Sequence, residues 1–493
     1  MNRKTVPLSK LGLATKGGGN WDISGLSVDS RSVQKGHLFA ALPGTRVHGA
    51  QYVEKAISLG AVAVLTDTEG AAIIDGICGS AKPPIILTDT PRETLSRTAA
   101  LWFDAQPQTM VAVTGTNGKT SVAHFVRQIW QHMGFRAINL GTTGVEGAWT
   151  APLNHTTPEP ITLHRILAQA AEAGVTHAAM EASSHGLDQR RLDGVALTAA
   201  GFTNFTQDHL DYHQTFEAYF DAKAGLFARV LSDEGVAVVN IDDPKGVDIA
   251  AIANARGCAT LTVGRDGGDL QLRAQRLDSD GQELRFSWSG QTFQTRVELI
   301  GAFQADNALL AAALVIACGG APEAVFAALP QLRTVRGRMQ RVATRASGAT
   351  IFVDYAHTPD AVATALSALR PHVMGKLWIV LGAGGDRDPG KRPLMGAAAA
   401  QNADAVIVTD DNPRSEDPAL IRKAVLDGAP NAIEIGDRAE AILRGVDKLA
   451  SGDALLIAGK GHETGQTIGA DVFPFDDAEQ ASIAAAALDG KLT

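Results

Sequence analysis

Residues 110–133 read MVAVTGTNGKTSVAHFVRQIWQHM, and this stretch indicates the fold class of the chain. It opens with the apolar run 110–113, typical of a buried strand, and turns through the glycine-rich segment 114–120. Apolar residues then recur at the spacing of an amphipathic helix, at Val122, Phe125, Val126, Ile129, Trp130 and Met133. A strand, a glycine-rich turn and a helix in this order predict a phosphate-binding loop within an α/β sheet.

The glycine-rich turn supplies the residue types that bind a nucleotide phosphate. Glycines let backbone N–H groups curl around phosphate oxygens, a lysine reaches the terminal phosphates, and a threonine hydroxyl can bind Mg²⁺. Val113 stands where a standard Walker A loop has glycine, so the shortened loop points away from generic motors and GTPases. An ordinary tight turn is the alternative. The residues predicted to bind nucleotide are Gly115, Thr116, Asn117, Gly118, Lys119, Thr120 and Ser121.

The sequence pattern changes twice along the chain, which predicts an α/β protein of three domains. Short strand-like runs between glycine and proline turns predict a small α/β domain over residues 1–106. Residues 107–333 would form a largely parallel, helix-covered sheet around the phosphate loop, with antiparallel hairpins over 269–300. Strands and helices then alternate again, which predicts a Rossmann-like domain over residues 334–493.

The composition excludes several classes of function. The 493 residues carry a formal net charge of −9, so the chain lacks the basic field that attracts nucleic acids. Three cysteines without a Cys-x-x-Cys pair argue against a disulfide framework and against a zinc site. No apolar run is long enough for a signal peptide or a membrane span. We therefore expect a cytoplasmic protein that acts on small molecules, with no nucleic-acid partner and no membrane span.

Three residues after the loop have the chemistry of a metal and phosphate site. Glu181 follows an apolar strand, where a Mg²⁺ ligand opposite a phosphate loop is expected, although a solvated carboxylate is an equal alternative. His209 lies in TQDHLDYH, residues 206–213, after the next strand, and could also bind a metal. Lys223 occupies an apolar slot of the helix predicted over 215–231. Periodicity alone favours the alternative that this lysine snorkels to solvent.

Four predicted strands of the third domain end in polar or glycine-rich segments. These are DYAHTPD at 354–360, GAGGDRD at 382–388, TDDNPR at 409–414 and GKGHE at 459–463. Ligands of open α/β sheets bind outside the carboxyl ends of the strands. The four segments therefore predict a second binding site.

Taken together, the motifs resemble those of the Mur ligase family. TGTNGKT, MEASSHGL, NFTQDHLDYH, GAFQADNALLA, RGRMQ, DYAHTPDA, GGDRD, DNPR and GKGHE occur in this order, with Lys223 in its helix after the third. The resemblance covers essentially the whole chain, including VDSRSVQKGHLFAALPG at 28–44. It implies an ATP-dependent amide ligase of peptidoglycan synthesis. The three domains would bind the UDP group, ATP and an amino acid, in that order along the chain.

The resemblance implies a two-step reaction that uses ATP and Mg²⁺. The D-glutamate carboxylate of UDP-N-acetylmuramoyl-L-alanyl-D-glutamate attacks the γ-phosphate, and the amine of meso-2,6-diaminopimelate then displaces phosphate from the acyl phosphate. Lys119 and Thr120 would hold the phosphates, while Thr120, Glu181 and His209 would bind Mg²⁺. In the family the lysine that matches Lys223 is carbamylated, which makes it an anion able to bind Mg²⁺. The predicted catalytic residues are Lys119, His209 and Lys223, and further ATP contacts would come from Asn307, Arg338 and Asp354.

The resemblance also implies the substrate contacts. The UDP group would contact Val28, Ser30, Thr45, Arg46 and Val47. The muramoyl dipeptide would contact His155, Thr156, Thr157, Ser183, Gln189 and Arg191. Diaminopimelate would contact Arg387, Asp411, Asn412, Pro413, Arg414, Gly459 and Glu463. Relatives commonly carry asparagine where this chain has His155, so that one contact departs from the family pattern.

The DNPR segment agrees with diaminopimelate on physical grounds. The distal end of this amino acid is a zwitterion. Arg414 can bind its carboxylate, and Glu463 can accept a hydrogen bond from its ammonium group. Lysine lacks the distal carboxylate and would leave a partly buried guanidinium unpaired, at a cost of about 2–5 kcal/mol. Taken alone, DNPR favours the alternative of a turn with proline after asparagine.

Three other functions remain open on the sequence. A lysine-adding tripeptide synthetase would lack DNPR, and folylpolyglutamate synthetase would lack the N-terminal UDP-binding domain. A nucleotide-dependent switch would hydrolyse ATP without any amino acid and would give the third-domain residues no role. We further expect a monomer whose third domain closes on the substrates, because Arg338 and Asp354 lie beyond the second linker.

Overall fold

The computed structural model describes residues 5–15, 18–44, 47–206 and 210–491. The chain folds into two units. The first unit comprises Met1–Leu270 and Leu310–Val325, and the second comprises Gln271–Leu309 and Phe326–Thr493. Three residues predicted to lie in binding or catalytic sites are outside the described ranges, namely Thr45, Arg46 and His209.

The N-terminal part of the first unit contains a four-stranded parallel sheet. The strands of this part are β1 (Val6–Pro7), β2 (Asp22–Ile23), β3 (Gly25–Ser27), β4 (His37–Ala40), β5 (Ala63–Thr66) and β6 (Ile85–Leu87). Its helices are α1 (Val53–Ser58), α2 (Thr68–Cys78) and α3 (Pro91–Phe103). Strands β3, β4, β5 and β6 pair in this order, and β1 and β2 form a separate antiparallel pair. The predicted N-terminal α/β fold is confirmed.

A second sheet of the first unit carries the phosphate loop at the carboxyl end of one of its central strands. Its strands are β7 (Thr109–Thr114), β8 (Ala137–Gly141), β9 (Gly144–Gly147), β10 (His177–Glu181), β11 (Ala199–Phe202), β12 (Val236–Asn240) and β13 (Ala259–Gly264). The spatial order is β13-β12-β11-β7-β10-β8-β9, and only the β8–β9 pair is antiparallel. Strands β8 and β11 are buried along their whole length, as expected for a parallel sheet covered on both faces. Because β7 lies between β10 and β11, the carboxyl ends of these three strands meet.

Six helices of the first unit accompany this sheet. They are α4 (Lys119–His132), α5 (Pro160–Glu172), α6 (Ser184–Asp188), α7 (Leu210–His213), α8 (Phe216–Gly225) and α9 (Pro244–Ala255). The predicted stripe of α4 is buried from Val122 to Trp130. The helix predicted over 215–231 is helical from residue 216 to residue 230, but it changes from the α-helix α8 to a π-helix at Leu226–Val230. Glycine is a poor α-helix former, and a Cβ at Gly225 would lie 1.8 Å from an Arg229 guanidinium nitrogen.

The hairpin strands and two helices connect the units along the chain. They are β14 (Leu270–Asp278), β15 (Gly281–Trp288), β16 (Gln291–Val297), α10 (Phe303–Ala317) and α11 (Pro322–Ala328). Strands β15 and β16 pair antiparallel over seven residue pairs, which confirms the predicted hairpin pattern.

The C-terminal part of the second unit is Rossmann-like, as predicted. Its strands are β17 (Gln340–Thr344), β18 (Thr350–Asp354), β19 (Leu377–Leu381), β20 (Ala405–Val408), β21 (Ile433–Glu434), β22 (Ala454–Ala458), β23 (Gly465–Ile468) and β24 (Asp471–Pro474). Its helices are α12 (Pro359–Leu369), α13 (Lys391–Asn402), α14 (Pro418–Leu426), α15 (Arg438–Asp447) and α16 (Asp477–Leu488). The sheet order is β17-β18-β22-β19-β20-β21, and β17 is its one antiparallel strand among the described residues. The separate hairpin β23–β24 is a feature that the sequence analysis did not predict.

The domain boundaries near residues 106 and 333 stay predictions. The two units meet along the chain at residues 270, 309 and 325 instead. In the described parts of the chain, no helix combines the length and the apolar character needed to cross a membrane.

Candidate active site

The phosphate loop begins where β7 ends, and its first glycine is required by close packing. Gly115 has φ 142°, and a Cβ there would lie 1.9 Å from Thr203 Oγ1 and 3.0 Å from the carbonyl oxygen of Asn204. Both neighbours follow β11, the strand beside β7. Only glycine fits this conformation and this approach of two backbones, so the fold itself requires Gly115.

Hydrogen bonds from the segment after β11 hold the rest of the loop. The N–H of Thr116 donates to the carbonyl of Asn204 at 2.8 Å, and the N–H of Asn117 donates to Asn204 Oδ1 at 2.9 Å. The hydroxyl of Thr203 donates to the carbonyl of Asn117 at 2.6 Å. The protein itself therefore holds the loop conformation, which lowers the ordering cost of binding a nucleotide.

Lys119 is the first residue of α4 and lies over the loop. Its Nζ donates to the carbonyl oxygens of Gly115 at 3.0 Å and Thr116 at 2.8 Å. Gly118 has φ 85° and precedes the helix without a side-chain cap. The loop thus combines a lysine with the N-terminus of a 14-residue helix, an arrangement that favours a bound anion.

Glu181 is buried at the carboxyl end of β10, where two threonines orient its carboxylate. Thr120 Oγ1 donates to Glu181 Oε2 at 2.8 Å, and the Thr142 N–H donates to Glu181 Oε1 at 2.7 Å. Thr142 Oγ1 adds a 3.3 Å hydrogen bond to Oε2. Carboxylate and hydroxyl oxygens are the ligands that Mg²⁺ prefers, so Thr120 and Glu181 fit this ion. The alternative of a solvated strand-end carboxylate is wrong, because Glu181 is 2% exposed.

Lys223 is also buried, at 1% exposure, which excludes the snorkelling alternative. Its Nζ donates to the carbonyl of Gly115 at 2.7 Å and lies 4.5 Å from the centre of the Tyr219 ring. The Tyr219 hydroxyl in turn lies 3.2 Å from Thr116 Oγ1. Helix α8 therefore brings Lys223 to the same carbonyl oxygen that Lys119 contacts.

Five of the six residues predicted to bind the muramoyl dipeptide cluster beside Glu181, and His155 does not. Thr157 Oγ1 donates to the backbone carbonyl of Glu181 at 2.9 Å and accepts from the Ser183 N–H at 3.0 Å. Arg191 donates to the carbonyl of Thr157 at 2.5 Å and to Gln189 Oε1 at 2.7 Å. Burial, followed by repulsion from Arg92, lowers the pKa of Arg191 from its usual value. Thr156 contacts Thr142 through their hydroxyls at 3.1 Å, whereas His155 is exposed.

Three of the five residues predicted to contact the UDP group lie in the described ranges. Ser30 is buried at the start of a 3₁₀ turn that Asp29 caps, Val28 is half-buried, and Val47 is exposed. Their role in binding the UDP group stays a prediction.

In the second unit the DNPR segment follows β20 and forms a hydrogen-bonded cluster. Asn412 Nδ2 donates to Glu463 Oε2 at 2.9 Å, and Asn412 Oδ1 accepts from the Thr467 N–H at 2.9 Å. Asp411 is buried beside Gly459, whose φ is 118° and whose added Cβ would lie 2.5 Å from Asp411 Oδ2. Thr467 belongs to the unpredicted strand β23, so this hairpin supports the DNPR segment.

Arg414 and Arg387 lie on the segments that follow β20 and β19. Arg414 has φ 52°, and its side chain donates to the carbonyl of Gly385 at 2.7 Å. Gly385 is confined, because an added Cβ would lie 1.9 Å from the carbonyl oxygen of Pro413. Arg387 is exposed two residues further along. The segments 382–388, 409–414 and 459–463 therefore meet, as their positions after parallel strands predict.

The remaining predicted ATP contacts also lie in the second unit. Asp354 ends β18 and accepts from the Met339 N–H at 2.7 Å and the Ala356 N–H at 2.8 Å. Burial raises the pKa of Asp354 above its usual value, against the opposing effect of Arg338. The Arg338 guanidinium lies 5.0 Å from the centre of the Tyr355 ring, and buried Asn307 donates to Gln304 Oε1 at 3.1 Å. Their contact with ATP stays a prediction.

Sequence reasoning missed two residues of these clusters. Thr142, in the short turn after β8, donates twice to Glu181. Lys460 is fully buried within GKGHE and contacts both Asn412 and Glu463. The GKGHE motif was the one available signal for Lys460. Within the described ranges no group of three or more His, Cys, Asp and Glu side chains could hold a metal ion.

Comparison with family domains matches three parts of the chain. Residues 22–101 match the catalytic domain of the Mur ligase family. Residues 113–315 match the Mur ligase middle domain, and residues 337–461 match the glutamate ligase domain of Mur ligases.

Curated relatives match along nearly their whole length. The UDP-N-acetylmuramoyl-L-alanyl-D-glutamate--2,6-diaminopimelate ligase of Bradyrhizobium diazoefficiens is 48% identical over 94% of this chain and 95% of the relative. The ligase of the same name from Brucella melitensis is 46% identical over 97% of this chain and 98% of the relative.

Solved structures agree with these relatives. A structure of a UDP-N-acetylmuramoyl-L-alanyl-D-glutamate--2,6-diaminopimelate ligase is 33% identical, covers 98% of this chain and 99% of the other, and has a TM-score of 0.75. A folylpolyglutamate synthase from Mycobacterium tuberculosis, solved with ADP, is 22% identical with a TM-score of 0.59. That structure covers 75% of this chain and is similar in fold alone.

Proposed function

The chain belongs to the Mur ligase family, and from this membership we propose that it adds meso-2,6-diaminopimelate to UDP-N-acetylmuramoyl-L-alanyl-D-glutamate. It is an ATP-dependent ligase that forms a C–N bond in peptidoglycan synthesis. The observation that carries the proposal is the match at 48% identity to a ligase of this name over 94% of the chain. We infer further that the enzyme acts in the cytoplasm as a monomer.

The phosphate loop would hold ATP while the substrate carboxylate attacks. An oxygen of the D-glutamate carboxylate bonds to the γ-phosphorus, the bond to the β-phosphate oxygen breaks, and ADP leaves. The loop N–H groups, Lys119 and the N-terminus of α4 would stabilise the charge on the transferring group. The amine of diaminopimelate then attacks the acyl carbon, inorganic phosphate leaves, and the amine loses a proton.

Mg²⁺ would be bound by Thr120 and Glu181, whose oxygens are already 2.8 Å apart. When bound, this ion neutralises phosphate charge that the loop does not. His209 is proposed as a further ligand on the resemblance. Lys223 as an ammonium repels a metal cation, so its proposed role requires carbamylation to an anion. Its burial beside the loop supports that assignment, because α8 places its Nζ 2.7 Å from the carbonyl oxygen of Gly115.

The DNPR cluster would bind the distal end of diaminopimelate. Arg414 would pair with its carboxylate and Glu463 with its ammonium. The hydrogen bonds of Asn412 to Glu463 and of Arg414 to the Gly385 carbonyl join the segments that follow three strands, and this supports the assignment.

Phosphate release from ATP tests the function directly. The enzyme is mixed with UDP-N-acetylmuramoyl-L-alanyl-D-glutamate and with meso-diaminopimelate, L-lysine or no amino acid. We expect release with diaminopimelate alone. Release with lysine instead would keep the reaction and overturn the specificity, and release without any amino acid would favour the nucleotide switch.

A further inference from the structure

Lys460 is a fully buried lysine for which the reaction described above has no role. It lies between β22 and the hairpin β23–β24, in the GKGHE segment. Its Nζ donates to Asn412 Oδ1 at 3.1 Å, to Glu463 Oε2 at 3.3 Å and to the carbonyl of Gly465 at 2.5 Å. An ammonium has three N–H donors, and each therefore has an acceptor. Lysine is almost never fully buried unless it is paired, and these three acceptors supply that pairing.

The contacts of Lys460 determine which way the Asn412 amide points. Asn412 Oδ1 accepts from Lys460 and from the Thr467 N–H, and Nδ2 donates to Glu463 Oε2. If the amide were flipped, its NH₂ group would face two donors and its oxygen would face a carboxylate. Lys460 thereby fixes the orientation of Asn412, and no acceptor among the described residues takes its second N–H, which is available to a ligand oxygen.

The contact with Lys460 makes the two oxygens of the Glu463 carboxylate different in their hydrogen bonding. Oε2 accepts from both Asn412 and Lys460. In the described part of the chain no group donates to Oε1, and the Glu463 side chain is 34% exposed. One oxygen is therefore fixed by the protein, while the other is open to a cation from solution.

We propose that Lys460 is a positioning residue for the amino-acid substrate: it holds the Glu463 carboxylate with Oε1 open to the distal ammonium of a diamino acid, and it holds the Asn412 amide with an N–H directed to an oxygen of that substrate. This inference rests on the proposed function, because it assigns the open oxygen of Glu463 to that ammonium. Lys460 itself touches no substrate atom. It acts through Asn412 and Glu463, and its effect on substrate binding depends on both side chains.

The first test replaces Lys460 by methionine, which keeps much of the volume and leaves no buried charge. We expect K460M to raise KM for the diamino acid about tenfold or more, because Glu463 loses its fixed orientation. KM for ATP and for the UDP-linked substrate should stay within about twofold. The matched control is K423M, at an exposed lysine of α14, which should change none of the three constants. An unchanged KM for the diamino acid would overturn the inference.

A double-mutant cycle separates positioning from a merely structural role. If Lys460 acts through Glu463 and Asn412, K460M should raise KM for the diamino acid by a much smaller factor in the E463Q background than in the wild type, because the part of its effect that passes through Glu463 is already lost. A structural role predicts instead that the two effects multiply and that all three KM values rise. That result would contradict the proposal.

The wild-type measurement keeps the two proposals distinguishable. If the wild-type enzyme uses L-lysine instead of diaminopimelate, the proposed preference for diaminopimelate is wrong. The role of Lys460 is then tested by running the same cycle with lysine, which carries the same distal ammonium. If the wild-type enzyme turns over with neither, both proposals fall.

Discussion

At the residue scale, the carbonyl oxygen of Gly115 is where two lysines converge. Lys119 Nζ lies 3.0 Å from it and Lys223 Nζ lies 2.7 Å from it. Lys119 begins α4 and Lys223 belongs to α8, so two helices bring their side chains to one carbonyl oxygen of the loop.

Replacing Lys223 by alanine tests the proposed carbamate. We expect Lys223→Ala to abolish turnover, because the anion that carbamylation would supply is lost, and added short carboxylic acids to restore it in part. The measurement is phosphate release with and without the acids. Lys245→Ala is the control, since Lys245 also lies over an aromatic ring, Phe220, but is half-buried outside the loop. Full activity in unrescued Lys223→Ala would exclude the role.

Replacing Arg414 by alanine tests the selectivity for diaminopimelate. The pairing of a guanidinium with the distal carboxylate contributes about 2–5 kcal/mol, so the preference over lysine should fall by about 30-fold or more. The measurement is the ratio of kcat/KM for the two amino acids. Arg444→Ala, at an exposed position of α15, should leave the ratio unchanged. An unaltered ratio in Arg414→Ala would remove this residue from the specificity site.

At the element scale, the phosphate loop depends on the strands beside it. Strand β7 pairs with β10 on one side and with β11 on the other. The end of β10 supplies Glu181, and the segment after β11 supplies the groups that hold the loop. The loop is thus positioned by sheet pairing and not by its own glycines alone.

The variant Gly115→Ala tests this packing. The new Cβ would clash with Thr203 Oγ1 and crowd the backbone of Asn204, so the loop must shift. We expect KM for ATP to rise about tenfold or more, with the far-UV circular dichroism retained. Gly76→Ala is the control, since Gly76 lies in α2 with open space around its Cβ position. Wild-type affinity for ATP in Gly115→Ala would contradict the packing argument.

Helix α5 buries His164, which should make the first unit sensitive to acid. Burial lowers the pKa of His164 from 6.5 to about 4, and its Nε2 has no hydrogen-bond partner within the described ranges. Because the folded pKa lies below the unfolded one, protons bind preferentially to the unfolded chain. The stability from neutral His164 is complete above pH 6.5 and is lost as the pH falls toward 4. At about 1.4 kcal/mol per pKa unit, the loss approaches about 3 kcal/mol.

The unfolding temperature of His164→Leu measures this effect. We expect the variant to lose less stability than wild type when the pH falls from about 7.5 to about 5. His132→Leu, at the exposed end of α4, should follow the wild-type curve. Equal losses in all three proteins would show that His164 does not titrate in this window.

At the scale of the whole molecule, nucleotide and metal should stabilise the chain together. A ligand that binds only the folded state at about 100 times its Kd adds about 2.7 kcal/mol. We expect a non-hydrolysable ATP analogue with Mg²⁺ to raise the unfolding temperature, and EDTA to reduce the rise.

The variant Glu181→Gln identifies the metal site within that effect. It should bind the analogue but lose most of the Mg²⁺-dependent part of the rise, because the carboxylate that faces Thr120 is gone. Glu172→Gln, at the exposed end of α5, is the control. A full Mg²⁺-dependent rise in Glu181→Gln would exclude Glu181 as a ligand.

The sequence predicted the parts of the site that follow from local pattern. The structure confirms the strand, the glycine-rich turn and the helix α4 with its buried stripe, and it places the polar segments after the strands of the second unit. The contacts of Thr142 and Lys460 were missed, because their partners are 39 and 48 residues away along the chain. The change from α-helix to π-helix after Gly225 was also missed.

By itself the sequence determined the α/β fold class, the phosphate loop and, through its resemblance, the ligase family. These properties are encoded in periodicity and in short motifs, which persist whatever the surroundings are. Only the tertiary structure decided that Glu181 and Lys223 are buried at the loop and that Lys460 orients Asn412 and Glu463. Burial and pairing depend on which segments the sheets bring together, and no local pattern records that choice.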